Sequence, residues 1–300
     1  MKNKFLIAIS VIIAMFVTSC KDNDVYTSGP QGSDIGVRFA IYNPSVIEAD
    51  QQTRTFELIL LRSDSVAALD VPIAVVTNED NICTIPSSAH FNAGEGTTAV
   101  TVKISDSAPI GQEYNFEIKI DDPELSISNP YLLSGISFYY GKVSVSQWEN
   151  LGDGEFYDSF TFYSIATVSV QQSTINPNQY RISYPYTVDI LTEAEWGDWI
   201  GGPTQTNIIY TVTDDGHVTW NKFWYTNTIY DATVSYPIKA YLPSALDASL
   251  KPDDALSVVI KDGDNIAYFD LYPYFWIDGL GGFEENEVIL AFPGYYVMDF

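Results

Sequence analysis

Apolar and polar residues alternate with a period of two along much of the chain from residue 35 onward. Because successive side chains of a strand point to opposite faces of a sheet, this alternation predicts short β-strands that each bury one face. In the first half of the chain the clearest predicted strands are residues 56–60, 71–76, 100–104 and 116–120. Turn-forming residues separate them, and no segment there has helical periodicity. The spacing of these short strands predicts a β-sandwich.

The second half of the chain is also rich in predicted strands, but its composition differs. All six tryptophans and 15 of the 21 tyrosines lie from Trp148 onward, which predicts a second domain beginning near residue 147. Its predicted strands are residues 159–170, 180–190, 208–213, 218–225, 256–260, 266–277 and 288–292. The one predicted helix is short, with Thr192 as its N-cap and Gly197 at its end. The predicted fold class is all-β, with domains at residues 35–146 and 147–300.

Several short motifs of the first domain occur in the order found in a known family. They are Val37-Arg38-Phe39, Val46-Ile47-Glu48 and segments 56–62, 91–95 and 112–118. Together they resemble a Calx-beta-type immunoglobulin-like domain, which implies an immunoglobulin-like sandwich. Calcium-binding members carry clustered acids after the strand that corresponds to residues 100–104, where this chain has Ser105-Asp106-Ser107-Ala108. We therefore expect no calcium site, and we predict that the acidic segment 121–124 is a solvated turn because calcium takes about 6 to 8 oxygens.

The N-terminus has the features of an export signal. Two lysines precede an apolar run at residues 5–17, which is shorter than the roughly 20 residues of a membrane-spanning helix. This predicts a signal peptide at residues 1–19. Val17-Thr18-Ser19-Cys20 resembles the bacterial lipobox, which implies that Cys20 is lipidated. The polar residues 20–34 are then a flexible tether.

Residues 20–24, Cys-Lys-Asp-Asn-Asp, also resemble the acidic signal that sends lipoproteins of Bacteroidetes-type bacteria to the outer face of the outer membrane. A polar linker after a lipid anchor would have a similar composition. Lys and Arg total 14 against 39 Asp and Glu, so the net charge is −25. Such a chain repels nucleic acid and anionic headgroups, so contact with a membrane is expected through the lipid alone.

Candidate catalytic and metal-binding groups are few. Besides Cys20 the chain has one cysteine, Cys83, on a predicted strand where a small buried side chain is expected. Its two histidines are His90 and His217, and the latter follows the turn sequence Asp-Asp-Gly. No common hydrolase, zinc or nucleotide-binding motif occurs. Residues 262–265, Asp-Gly-Asp-Asn, favour a hairpin turn over a calcium loop. We predict no catalytic residue, no metal ligand and no cofactor.

Exposed aromatic side chains are the strongest functional signal. Three segments present them: Trp196 and Trp199 in a glycine-rich loop, Trp220 and Trp224 beside Lys222 on one face of a predicted strand, and Tyr272, Tyr274 and Trp276 on one face of residues 266–278. Pro273 should bend that last strand or place it at a sheet edge. Loop tryptophans next to acids suit sugars, because rings stack on C–H groups while carboxylates accept hydrogen bonds from hydroxyls.

These observations lead to one hypothesis and two alternatives. The layout resembles the accessory lipoproteins of Bacteroidetes glycan-uptake systems, which implies a non-catalytic surface protein that binds an oligosaccharide or polysaccharide. A structural or docking lipoprotein, whose aromatic surface binds an outer-membrane protein partner, is the first alternative. The second is an atypical glycoside hydrolase, since such enzymes need only two facing carboxylates and Glu193, Glu195 and Asp198 lie beside two tryptophans.

Overall fold

The computed structural model describes residues 35–126, 137–231, 233 and 235–300. The predicted signal peptide, the lipidated Cys20 and the tether lie outside the described residues. The chain forms two compact units, and the boundary in the sequence lies between Val145 and Ser146. Among the described residues, no helix has the length and apolar character needed to cross a lipid bilayer.

The first unit consists of two sheets. Its strands among the described residues are β1 (Arg38–Phe39), β2 (Val46–Ala49), β3 (Thr55–Leu61), β4 (Leu69–Asn78), β5 (Cys83–Thr84), β6 (Ser88–Phe91), β7 (Thr97–Ile104), β8 (Tyr114–Ile120) and β9 (Phe138–Val145). One sheet has the order β1-β3-β7-β5 and the other β2-β9-β8-β4-β6. All pairs are antiparallel except β2 with β9, which is parallel.

A single apolar core lies between these two sheets. On β3, Leu58 and Leu60 are completely buried while Glu57 is exposed, as the alternation predicts. The ring of Phe56 meets that of Phe116 on β8 edge to face, with 5.7 Å between centroids. The predicted immunoglobulin-like sandwich is confirmed.

The second unit is also built from antiparallel sheets. Its strands among the described residues are β10 (Trp148–Asp158), β11 (Phe162–Ser173), β12 (Gln179–Ser183), β13 (Asn207–Val212), β14 (Val218–Trp220), β15 (Phe223–Ile229), β16 (Pro237–Tyr241), β17 (Val258–Asp262), β18 (Asn265–Leu271), β19 (Tyr274–Ile277), β20 (Gly281–Glu285) and β21 (Val288–Ala291). Eight strands form one sheet, β14-β13-β12-β11-β10-β21-β18-β17, and four form another, β15-β16-β19-β20. Its α-helices, α1 (Val188–Glu193) and α2 (Pro243–Leu246), are short. The predicted all-β fold class is confirmed.

Aromatic rings fill the core of the second unit, which takes side chains from both of its sheets. Tyr210 on β13 meets Trp224 on β15 and Phe269 on β18 edge to face, at 6.0 and 5.8 Å. These rings are completely or almost completely buried. The high aromatic content of residues 147–300 therefore serves the core as well as the surface.

Four predicted elements differ from the structure. The predicted strand 180–190 ends at Ser183, shortly before Pro185, which has no N–H for a ladder, and its last residues belong to α1 (Val188–Glu193). The predicted strand 218–225 is interrupted at Asn221 and Lys222, so β14 and β15 belong to different sheets. The predicted strand 266–277 is interrupted next to Pro273, which has no N–H for a ladder, so β18 and β19 also belong to different sheets. The predicted helix at 192–196 begins earlier, because Thr187 caps α1 by accepting a hydrogen bond from the N–H of Ile190.

Candidate functional site

A cavity of about 360 Å³ opens on the second unit beside the loop that follows α1. Its described lining consists of four aromatic residues, one acidic residue and one aliphatic residue: Phe160, Trp196, Trp199, Tyr230, Glu195 and Ile238. The loop tryptophans predicted as ligand-binding residues therefore share one concave surface. That they bind a ligand stays a prediction.

Backbone hydrogen bonds hold the loop in position. The N–H of Trp196 donates to the carbonyl of Leu191 at 2.9 Å, and the N–H of Trp199 donates to the carbonyl of Trp196 at 2.7 Å. Glu195 lies within the turn that the bond from Trp196 to Leu191 closes. Its φ is 65°, in the left-handed region that non-glycine residues rarely adopt. Such strain persists only where surrounding structure imposes it, and it is frequent at binding sites.

Two glycines then fasten the end of the loop to β15. The N–H groups of Gly201 and Gly202 both lie 3.2 Å from the carbonyl oxygen of Asn227. A Cβ on Gly202 would lie 2.8 Å from the carbonyl oxygen of Thr228, so no side chain fits there. The close approach of two backbones explains why the sequence has glycine at this position.

The cavity has one fixed wall and one accessible lip. Phe160 stacks on the buried Phe275 at 4.5 Å and contacts Trp196 at 6.1 Å between ring centroids. Trp199 and Tyr230 are 40% and 48% exposed, so their rings are available to a ligand. Phe160, Tyr230 and Ile238 were not predicted as lining residues, because they lie far from the tryptophan loop in sequence and the fold brings them to it.

A buried network supports this wall from behind. The carboxylate oxygen Oδ1 of Asp158 accepts hydrogen bonds from the N–H groups of Phe160 and Thr161, at 2.8 and 3.0 Å. Its Oδ2 accepts from the hydroxyl of Tyr186 at 2.8 Å, which in turn accepts from Nε1 of Trp224 at 3.0 Å. Complete burial raises the pKa of Asp158, against the opposing effect of these hydrogen bonds.

The prediction that Trp220 and Trp224 are exposed is wrong, so neither ring is accessible to a ligand. Both side chains are buried in the core, at 6% and 1% exposure, with 5.0 Å between their ring centroids. Because the chain bends at Asn221 and Lys222, each tryptophan enters the same interior from a different sheet. The face with Lys222 was expected to be solvated, and only Lys222 itself is exposed.

The three aromatic residues near Pro273 lie outside the cavity lining. Tyr272, Tyr274 and Trp276 are half-buried and alternate with buried residues, as predicted. The hydroxyl of Tyr274 donates to Asp253 at 3.1 Å, and Gly282 packs directly against the ring of Trp276. Much of this surface is thus engaged by the protein itself, and its role in binding stays a prediction.

Tyr272 lies beside two acids. Its hydroxyl is 3.4 Å from Oδ2 of Asp270 and 3.5 Å from Oε1 of Glu287. Burial and the neighbouring charge of Glu287 raise the pKa of Asp270 to about 6. The hydroxyl and the two acids lie together on the second unit, away from the lining of the aromatic cavity.

Other candidate groups have structural surroundings. Cys83 is buried, and burial raises the pKa of its thiol to about 12, which keeps it unreactive. Nδ1 of His90 lies 2.8 Å from Asp70 across two strands. His217 lies 3.7 Å from Asp215 in its turn. The chain turns through Gly263 and Asp264 between the paired residues Asp262 and Asn265, which confirms the predicted hairpin.

A second cavity lies on the same unit as the aromatic cavity. In the parts of the chain that the structure describes, no three His, Cys, Asp or Glu side chains are placed to hold a metal ion. A larger cavity of about 590 Å³ lies near the hairpin turn, with Gln172, Asp264, Asn265 and Tyr295 among its lining residues. Its lining is mainly polar and does not include a tryptophan, so the smaller aromatic cavity is the stronger candidate site.

Comparisons with known proteins give weak similarities. No protein-family model matches the chain, and no curated protein matches it. A multidomain protein including DUF1735 from Bacteroides ovatus has 10% identity and a TM-score of 0.29 over 85% of this chain and 92% of that one. The calcium binding domain CBD12 of CALX1.1 has 10% identity and a TM-score of 0.28 over 50% and 80%. An auxiliary nutrient binding protein from Bacteroides thetaiotaomicron has 8% identity and a TM-score of 0.26 over 84% and 91%. These values assign the chain to no family and no activity.

Proposed function

We propose that this protein is a non-catalytic lipoprotein of the outer bacterial surface that binds a glycan in the aromatic cavity. The observation that carries the proposal is that four aromatic residues and the acidic residue Glu195 line one opening; the aromatic residues are Phe160, Trp196, Trp199 and Tyr230. Aromatic faces stack on the C–H groups of a pyranose, while a carboxylate accepts hydrogen bonds from its hydroxyls. The volume of about 360 Å³ is at the lower end of the roughly 300–1,000 Å³ typical of ligand pockets.

Binding fits this cavity better than hydrolysis. Glycosidases place two carboxyl groups about 5 to 9.5 Å apart across the scissile bond. Among the described residues that line the cavity, Glu195 is the single carboxylate, and Glu193 and Asp198 are not part of the lining. A second acid facing Glu195 is what the hydrolase alternative would need.

The tryptophan at the lip provides the sharpest test. Trp199→Ala should weaken glycan binding about ten-fold or more, because it removes an exposed stacking face without removing a core residue. The chain from Lys21 onward would be screened against plant, host and microbial glycans, and affinities of the hits measured by calorimetry. Trp196→Ala and Tyr230→Ala should act in the same direction.

Two controls separate the alternatives. Tyr42→Ala removes an exposed ring from the first unit and should leave glycan binding unchanged. If Trp276→Ala abolishes binding of a protein partner while no oligosaccharide binds at millimolar concentration, the docking alternative replaces the glycan proposal. Release of shorter sugars over time would instead favour the hydrolase alternative.

The anchor is tested independently of the ligand. Cys20→Ala should move the protein from the membrane fraction to the soluble fraction, because a chain with net charge −25 has little electrostatic attraction to anionic lipid. Fractionation with high-salt washing measures this, and protease accessibility in whole cells measures surface display. A Cys20→Ala protein that stays in the washed membrane fraction would contradict the lipid anchor.

A further inference from the structure

The part of the chain that forms the aromatic cavity is strongly acidic. Residues 182–221, which supply Trp196 and Trp199, contain six acidic residues and no lysine or arginine. Residues 146–300 contain 22 acidic residues and five basic ones. A ligand that enters this cavity therefore approaches through a negative potential, which repels anions and is screened over about 8 Å at physiological salt.

Lys239 is adjacent in sequence to a residue of the cavity lining, but its positive charge lies outside the cavity. Ile238 on β16 lines the cavity, and its neighbour Lys239 lies on the opposite face of the strand. There the ammonium of Lys239 lies 4.6 Å from the ring centroid of Phe223 and forms an ion pair with Asp278. That pair, chiefly through its hydrogen bond, lowers the pKa of Asp278.

Resting on the proposed glycan-binding function, we infer that the cavity is selective for charge: it accepts uncharged glycans and rejects those that carry carboxylates or sulfates. Glu195 is the residue to which we assign this selection, because it is the acidic residue among the described residues that line the cavity, and it is next to Trp196 in the sequence. A uronate or sulfate placed against the same rings would face this carboxylate with no cation among the described lining residues to compensate. The aromatic rings contribute stacking to either type of sugar, so charge decides between them.

The test uses glycans in pairs that differ only in charge. Each glycan bound by the chain from Lys21 onward in a Trp199-dependent manner is compared with its counterpart in which the C6 hydroxymethyl group is oxidised to a carboxylate. At low salt the uncharged glycan should bind with an affinity about ten-fold higher, or more, than that of its carboxylated counterpart. The ratio of the two affinities should decrease as salt is added.

Glu195→Gln should bring the ratio of the two affinities close to one, because the amide keeps an oxygen acceptor and removes the charge. Glu193→Gln is the matched control. Glu193 lies on α1 outside the cavity lining, and its substitution changes the net charge by the same amount as Glu195→Gln. A carboxylated glycan that binds in a Trp199-dependent manner as tightly as its uncharged counterpart overturns the inference and leaves the glycan-binding proposal intact. If Glu193→Gln changes the ratio as much as Glu195→Gln, overall charge makes the selection and the role of Glu195 is overturned. Absence of binding to any glycan removes the proposed function and the inference together.

Discussion

Asp158→Ala is expected to lower the free energy of unfolding of the second unit by about 3 kcal/mol, since buried donors that lose their acceptor cost about 1–3 kcal/mol each. Three donors lose it: the N–H groups of Phe160 and Thr161 and the hydroxyl of Tyr186. Removing a buried carboxyl group offsets part of this cost. Urea unfolding monitored by tryptophan fluorescence measures the change, because all six tryptophans lie from residue 148 onward.

The same substitution should weaken glycan binding, because Asp158 holds the backbone of Phe160, which forms the fixed wall of the cavity. Asp153→Ala is the matched control, since Asp153 is an exposed acid on the same strand, β10. A change within about 0.5 kcal/mol is expected there, as for most surface substitutions. If Asp158→Ala and Asp153→Ala have the same free energy of unfolding, the hydrogen bonds that Asp158 accepts do not contribute to stability.

Asp158→Asn separates hydrogen bonding from charge. Its amide oxygen still accepts from the two backbone N–H groups, so the loss of stability should be smaller than with alanine. The pKa of Asp158 is raised in the folded protein, so its contribution to stability is present below its ordinary pKa of about 3.9 and is lost as pH rises through the folded value. The stability advantage of the wild-type protein over Asp158→Asn should therefore be larger at pH 4 than at pH 8.

Alternation in the sequence predicts which side chains face inward far better than which strands become neighbours. Leu271, Pro273, Phe275 and Ile277 are buried as predicted, although the strand breaks among them. The prediction survives because the period of two continues on both sides of the break. For Trp220 and Trp224 the prediction from alternation failed, because a two-residue bend directs the chain into a second sheet. Local periodicity contains no information about which sheet a strand joins.

The candidate site could also be predicted only in part, because the sequence does not show which distant segments the fold brings together. Its loop was predictable because Trp196, Gly197 and Trp199 are close in sequence and chemically distinctive. The rest of its lining was not, since Phe160 lies 36 residues before Trp196 and Tyr230 lies 31 residues after Trp199, and the fold brings both to the loop. Asp158 lies next to a turn, and nothing in its neighbours along the chain indicates that Tyr186 and Trp224 complete its hydrogen bonds.

The first unit has its own buried polar centre at Arg62. Its guanidinium group donates hydrogen bonds to four backbone carbonyl oxygens, those of Ser65, Ala67, Asn92 and Glu95, at 2.6–3.1 Å. The side chain is buried and lies 4.9 Å from the ring centroid of Phe91. One side chain therefore joins the loop between β3 and β4 to the loop between β6 and β7.

Arg62→Ala is expected to lower the free energy of unfolding of the first unit by about 3 kcal/mol, because it leaves these carbonyl groups without their donor and removes the contact with Phe91. Arg62→Lys should recover only part of this loss, since an ammonium group cannot reproduce the planar fork that reaches four acceptors. Arg38→Ala is the matched control, because the hydrogen bonds of Arg38 within the described residues are longer, 3.3 and 3.4 Å, and one of them is exposed. Calorimetric unfolding of the three variants measures these differences.

If the predicted domains fold independently, Arg62→Ala should lower the temperature of one unfolding transition and leave that of the tryptophan-rich unit unchanged. Equal stability of Arg62→Ala and Arg38→Ala would contradict the role of Arg62, and a shift of both units together would contradict the independence of the domains.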